Sequence, residues 1–467
     1  MKDYFKLAEN KTDVKTEILA GFTTFFTMAY IIFVNPAILS NAGMDYQAVL
    51  FATCVAAGIG SLVMGLYANY PFAQAPGMGL NAFFTYTVVL SMGYSWQQAL
   101  GLVFISGMFF MVITLTGTRA WLIEGIPTVV RHAMPAGIGL FIALIGLNNA
   151  GIIRVNQGPI FDILFGQEGA TAASMAAAIK EAPAQVLELG SLSNPSVQLA
   201  LAGLFITAVL VVMEKKTAFL VGMLATTALG FPLGVAEWPS FTGIEPQALT
   251  ATVGQLDLAG LWAKTAARDS LLDVLIAIIA LVISFSLVDL FDTIGTLIGT
   301  ASKGGFLDAS GKLPRANKAL MADAIATTAG AWVGTSTVTT YIESSSGIVA
   351  GGRTGLTAVV VALLFFASVF LAPFAVMVPA AATAPVLILV GMMMMGSLKK
   401  IDFDHYEEAI PAFLLVILMP LTYSIANGIA AGMIFYTVVK VAKGKFREIH
   451  PMTWALSVIF LLRFILL

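Results

Sequence analysis

The chain has 467 residues, of which 58% are hydrophobic and 11% charged, with a formal net charge of -2. A soluble protein of this length lacks the interior to hide that much apolar surface, and a nearly neutral chain excludes a nucleic-acid or other polyanion partner. The single cysteine, Cys54, excludes an internal disulfide and reads as a small packing residue. The three histidines form no metal-ligand pattern, so no cofactor is expected.

The opening stretch, MKDYFKLAENKTDVKTEI, carries acids and no cleavage pattern, so it reads as an amphipathic lead-in rather than a signal peptide. Apolar runs of the length that crosses a bilayer then follow at 17–39, 48–68, 74–92, 97–117, 133–151, 196–213 and 217–235. A second set lies at 271–300, 317–334, 338–350, 354–377, 380–397, 409–425 and 427–443. The terminal run 451–467 contains Arg463 and reads as an interfacial helix rather than a further span. The fold class is thus an all-α, polytopic membrane protein.

With the N-terminus inside, the inner connectors hold Arg119 and Arg131, then Lys215 and Lys216, then Lys303, Lys312, Arg315 and Lys318. Lys399 and Lys400 follow, and then Lys443, Lys445 and Arg447, in agreement with the positive-inside rule. The long connectors 152–195 and 236–270 fall outside and read as extracytoplasmic caps. Seven spans precede about residue 260 and seven follow. An odd number per half makes the second half enter the membrane inverted, as in the inverted repeats of secondary transporters.

The third segment of each half looks broken. Phe72–Tyr86 places Ala73–Ala75 before Pro76, and Pro76 disfavours helix in the residue before it. Gly77 and Gly79 allow close backbone approach, and Asn81 follows. Thr335–Val349 carries the extended-prone run Thr337–Tyr341, including Thr340, and then Glu343. Irregular backbone at membrane depth is tolerated where it lines a cavity. Inverted symmetry would bring the two breaks face to face.

Ser284–Thr300 adds Asp289 and Asp292, three apart and on one helix face. Together these residues make a cavity of an amide, carboxylates and backbone N–H groups, suited to a small, flat, polar and nearly neutral molecule. Buried carboxylates that take up and release a proton are the usual relay of such sites, so proton coupling through one of these acids is expected, with sodium as the competing ion. Each residue also has a structural reading. Glu343 could cap its half-helix, and Asp292 could bond the Thr293 or Thr296 hydroxyl. Asp289 could support its neighbour, and Asn81 could satisfy broken backbone. Asp323 reads as structural or paired with a connector cation. The Phe-rich stripes (Phe25, Phe26, Phe83, Phe84) read as packing or lipid-facing. Gly347–Gly355 lacks the lysine of a phosphate loop and reads as a helix–helix turn with Arg353 on the cytoplasmic side. The cavity as read here holds acids and no Lys or Arg, which weighs against an anion transporter or channel of the same architecture. An intramembrane aspartate enzyme is disfavoured, because both aspartates share one helix.

Ala75–Phe84 (APGMGLNAFF), Leu290–Gly299, Gly334–Gly347 and Gly351–Val360 resemble the nucleobase–cation symporter-2 family, and within it the AzgA-like permeases for adenine, guanine and hypoxanthine. The resemblance runs from Thr23–Pro36 to Met419–Ala430. It implies fourteen segments in two inverted seven-segment repeats, with segments 3 and 10 discontinuous. It also implies a core domain (1–117 and 271–378), a gate domain (118–270 and 379–467) and a homodimer. Proton-coupled import of a purine through the cytoplasmic (inner) membrane of a bacterium is the activity it implies, with no enzymatic step. By resemblance Asn81, Asp289, Asp292 and Glu343 line or support the purine site, with Glu343 and Asp289 toward the base and Asp292 toward the coupling proton. The uracil and xanthine members carry a glutamate in segment 8 where this chain has an aspartate, and they lack the GLNAFF string.

Overall fold

The structure, a computed structural model, describes residues 2–116, 125–155, 187–238, 250–261, 271–308, 312–375 and 377–466. In the first half α1 (Val14–Met28) starts at Asp13, whose carboxylate accepts the Thr16 N–H. It bends at Ala29–Tyr30 into α2 (Ile31–Leu39). Asp45 caps α3 (Tyr46–Val63) in the same way. Then come the strand β1 (Gln74–Pro76) and the short helix α4 (Met78–Ala82), which winds on as a wider π-type helix through Phe83–Ser91. The helices α5 (Trp96–Thr116), α6 (Thr128–Asn149), α7 (Pro195–Val212) and α8 (Ala218–Gly230) complete this half. Between α6 and α7, β2 (Ile153–Val155) pairs with β3 (Leu187–Leu189).

The second half repeats the order. It runs α9 (Leu271–Gly304), α10 (Ala316–Val333), the strand β4 (Val338–Thr340), the short α11 (Ser344–Val349) and α12 (Gly355–Ser368). It continues through α13 (Ala380–Met394), α14 (Tyr406–Leu421), α15 (Ile425–Ala442) and α16 (Pro451–Leu466). Among the described residues, eight helical stretches are long and apolar enough to cross a membrane, from Val14–Ala42 to Ile425–Ala442. Arg119 and most of the connectors read as outer caps lie outside the described residues.

Both breaks sit where the sequence predicts them, and they meet. β1 and β4 pair antiparallel with Gln74 opposite Thr340, Ala75 opposite Thr339 and Pro76 opposite Val338. The pairing extends through Gly77 N–H to the Thr337 carbonyl (3.0 Å) and Tyr341 N–H to the Ala73 carbonyl (3.0 Å). Pro76 has no donor to lose in this ladder. The crossing therefore satisfies backbone groups that the interrupted helices leave open, as a membrane interior requires.

Asp323 of α10 anchors the crossing. Its carboxyl group accepts Gln74 Nε2 (3.1 Å), the Thr293 hydroxyl (2.9 and 3.0 Å to its two oxygens) and, at 3.4 Å, the Thr340 hydroxyl. The structural reading of Asp323 holds, and its partners are buried side chains of β1, α9 and β4. Thr293 spends its proton here rather than on Asp292, so the local bond open to Asp292 through Thr293 does not form.

Elsewhere small residues let helices approach. A Cβ on Gly139 of α6 would lie 2.5 Å from the Gly391 carbonyl of α13. This is the small-residue contact by which helices associate in lipid. Gly347–Gly355 forms the turn read from sequence, with Gly351 at φ +109°. The terminal α16 buries Leu456 and Phe460, its Ser457 hydroxyl lies 2.8 Å from that of Thr437 on α15, and the Thr453 hydroxyl donates to the Gly125 carbonyl.

Candidate functional site

A cavity of about 410 Å³ opens beside the crossing. Its floor is the two breaks: Gly77, Met78 and Gly79 from the first, and Thr339 to Glu343 from the second. One wall is the α9 turn that carries Phe291, Asp292, Gly295 and Thr296. Pro135 of α6, Val390, Met393 and Met394 at the end of α13 and Ser397 in the turn that follows form the other wall. Tyr30, at the bend between α1 and α2, completes the lining.

Four of the six residues selected from sequence thus share one cavity: Gly79, Thr340, Asp292 and Glu343. Glu343 stands just before α11 and accepts the Tyr30 hydroxyl at 2.6 Å on Oε1. The carboxylate is held at one oxygen while the rest of the group faces the cavity. Gly79 is needed for close approach, since a Cβ there would lie 2.6 Å from Ile138 Cγ2 on α6. The Thr340 hydroxyl is spoken for by Gln74 and Asp323, so Thr340 contributes shape and rigidity.

The other two residues sit close by but outside the lining. Asn81 is fully buried, and its side-chain oxygen accepts the Ser336 hydroxyl. Of α4, Met78 and Gly79 line the cavity, while Asn81, the fourth residue of the helix, is turned toward Ser336, just ahead of β4. Asp289 is 1% exposed and lies one turn before Asp292 on α9. The i, i+3 offset puts both on one side of the helix but about 4.5 Å apart along it, and only Asp292 meets the opening. In one respect the lining differs from the sequence reading: it includes a cation, Lys400. The chain continues past α13 as a 3₁₀ turn, Met395–Lys400, that folds over the cavity edge.

Tyr30 and Tyr341 escaped the sequence reading. Tyr341 donates to the Pro76 carbonyl at 2.5 Å, locking the two breaks together. The signal for Tyr30 was weak, a polar aromatic at a bend inside a long apolar run. Its partner lies 313 residues away.

Comparison with known proteins agrees with this picture. By shape the chain matches the transmembrane domain of a cyanobacterium bicarbonate transporter, BicA, with a TM-score of 0.61 at 15% identity over 88% of this chain and 97% of that one. It also matches the murine anion transporter Slc26a9 in its inward-facing state, with a TM-score of 0.59 at 12% identity, covering 92% of this chain and 68% of the other. These matches establish the inverted-repeat transporter fold. In sequence it is 42% identical to the adenine permease AdeP of Escherichia coli over 99% of this chain and 95% of that protein. It is 43% identical to the guanine/hypoxanthine permease PbuO of Bacillus subtilis, over 99% of this chain and all of that one. The model of the Permease family matches residues 15–169 and 167–431. With broken segments, acid-lined cavity and sequence all in agreement, the chain belongs to this permease family, the nucleobase–cation symporter-2 transporters.

Proposed function

We propose that the chain imports a purine nucleobase, adenine, guanine or hypoxanthine, by proton symport. The observation that carries this reading is the placement of Glu343 and Asp292 on two sides of one cavity, beside a rigid strand crossing. A carboxylate accepts paired N–H donors of the kind a purine edge presents. The cavity volume lies in the range that encloses a small molecule. The full-length relatives named for adenine and for guanine/hypoxanthine support the substrate class.

In this reading Glu343 takes the base, while Asn81 and Asp289 brace the half-helix and the α9 wall behind it. Asp292 carries the proton, on the reasoning that a carboxylate facing a membrane cavity is a natural relay. The residues of 1–117 and 271–378 form the core domain that carries the site, and 118–270 and 379–467 form the gate against which it moves. The chain works in the cytoplasmic membrane among lipids, as a homodimer, with its N-terminus inside. Lys400 belongs to a connector that the positive-inside rule places in the cytoplasm, so the cavity faces inward.

Lys400 also favours a second reading, transport of an anion, since that substrate needs a cation at its site. Two carboxylates in the same cavity oppose it, and Lys400 is exposed at the rim. Uptake in cells lacking their own purine permeases separates the readings. Labelled adenine, guanine or hypoxanthine should enter and compete with one another, and xanthine and uracil should compete poorly. Absence of uptake for all three purines would refute the proposal.

A further inference from the structure

Glu17, in the first turn of α1, is fully buried and reaches the turn between α11 and α12. Its Oε1 accepts the Arg353 backbone N–H at 2.8 Å. Its Oε2 accepts the Thr354 and Thr357 backbone N–H groups (3.3 and 3.2 Å) and the Thr357 hydroxyl (2.6 Å). These are the open donors at the start of α12, so a side chain more than 330 residues away acts as its N-terminal cap.

The same turn is tied to α11. The Arg353 guanidinium donates through Nη1 to the Ile348 carbonyl (2.6 Å) and the Gly352 carbonyl (2.8 Å), closing the end of the half-helix. Between the two ends α1 lies directly on α11: a Cβ on Gly347 would overlap the Thr24 hydroxyl and crowd the Ala20 carbonyl. At the far end the Tyr30 hydroxyl grips Glu343. Glu17 and Tyr30 are thirteen residues apart, about 20 Å of helix. Helix α1 and its bend therefore hold α11 at its tail and at the residue before its head.

We propose that Glu17 is a positioning residue for substrate binding: by fixing the Arg353–Thr357 turn to α1, it sets where α11 presents Glu343 to the cavity. This rests on the reading of Glu343 as the purine-binding carboxylate. Replacing Glu17 by Gln keeps the shape but turns one acceptor oxygen into a donor. The amide does best by keeping its oxygen on the three donors at Thr354 and Thr357, so the Arg353 N–H loses its partner. The link to α11 is then the part that fails.

The test is equilibrium binding of adenine, guanine and hypoxanthine to the purified full-length protein, with thermal melting measured on the same samples. Glu17→Gln should weaken binding of the purine that binds the wild type by about tenfold, the worth of one hydrogen bond to a charged group. Thr357→Val, which removes the hydroxyl's bonds to the Glu17 carboxylate and carbonyl but leaves the Arg353 bond, should lower the melting midpoint while affinity stays within about twofold. A merely structural role would move affinity and melting together in both variants. If Glu17→Gln does not fold, Arg353→Gln carries the same expectation, since it frees the end of α11. Wild-type affinity in a folded Glu17→Gln or Arg353→Gln overturns the proposal. Glu343→Gln is the control: if it loses binding while Glu17→Gln keeps it, only the positioning role fails. If it binds like wild type, the site reading fails and the positioning role with it.

Discussion

The Tyr30 hydroxyl donates a 2.6 Å hydrogen bond to Glu343 Oε1, joining the bend of the first membrane segment to the residue that opens the second half-helix. Both residues line the cavity. The bond orients the carboxylate without occupying it, leaving acceptor capacity for a ligand. Tyr30→Phe deletes this bond and leaves the ring, with its contact to Phe219, in place. Purine affinity should fall about tenfold with little change in melting. Equilibrium binding checks this, and an unchanged affinity would show that Glu343 is held by other means.

Asp323 is the hub of the strand crossing, gathering Gln74, Thr293 and Thr340 from three elements. Asp323→Ala leaves those buried donors without their acceptor and should cost about 3 kcal/mol of stability. The expected readout is a lower melting midpoint in detergent, together with weaker purine binding as β4 loosens. A variant that melts like wild type would remove Asp323 from that role.

The breaks, the acids and the inverted order were legible in the sequence because each has a local signature. Pro76 between glycine and alanine, a threonine run and carboxylates in apolar stretches are costly anywhere except at a cavity. Which of those residues face the cavity was not legible. Asn81 and Asp292 look alike as polar groups in apolar runs, yet one turns toward Ser336 and the other into the opening. That choice depends on helix rotation, which tertiary contacts such as Gly79 against Ile138 decide. Tyr30, Glu17 and Lys400 were missed for the same reason. Their partners are hundreds of residues away or lie across a cavity that only the folded chain defines.

Gly139 and Gly391 bring α6 and α13 to backbone contact beside the cavity. Gly391→Val forces these helices apart, and overpacking of this kind costs about 1–3 kcal/mol. Transport should suffer more than purine binding, since the side of the cavity that carries Asp292 and Glu343 is untouched. Uptake and binding measured side by side will show this, and a variant that transports normally would mean the contact opens during the cycle.

At the predicted inner surface Lys443 and Lys445 bond Glu407 and hold its carboxyl at about 2, below its ordinary 4.5. A depressed carboxylate contributes stability above its unfolded value and loses it as pH falls through the folded one. The melting midpoint of the wild type should therefore exceed that of Glu407→Gln at neutral pH, and the gap should close between about pH 4.5 and pH 2. Parallel curves across that range would show that the pair contributes nothing.

The central claim, proton-driven purine transport through a cavity built on Glu343 and Asp292, is tested most directly in proteoliposomes under an imposed inward proton gradient. Labelled adenine, guanine or hypoxanthine should accumulate above its outside concentration, and a protonophore should abolish that accumulation. Glu343→Gln should abolish entry altogether. Asp292→Asn should lose accumulation while retaining exchange. Accumulation that ignores the proton gradient, or a Glu343→Gln protein that transports like wild type, would contradict the account.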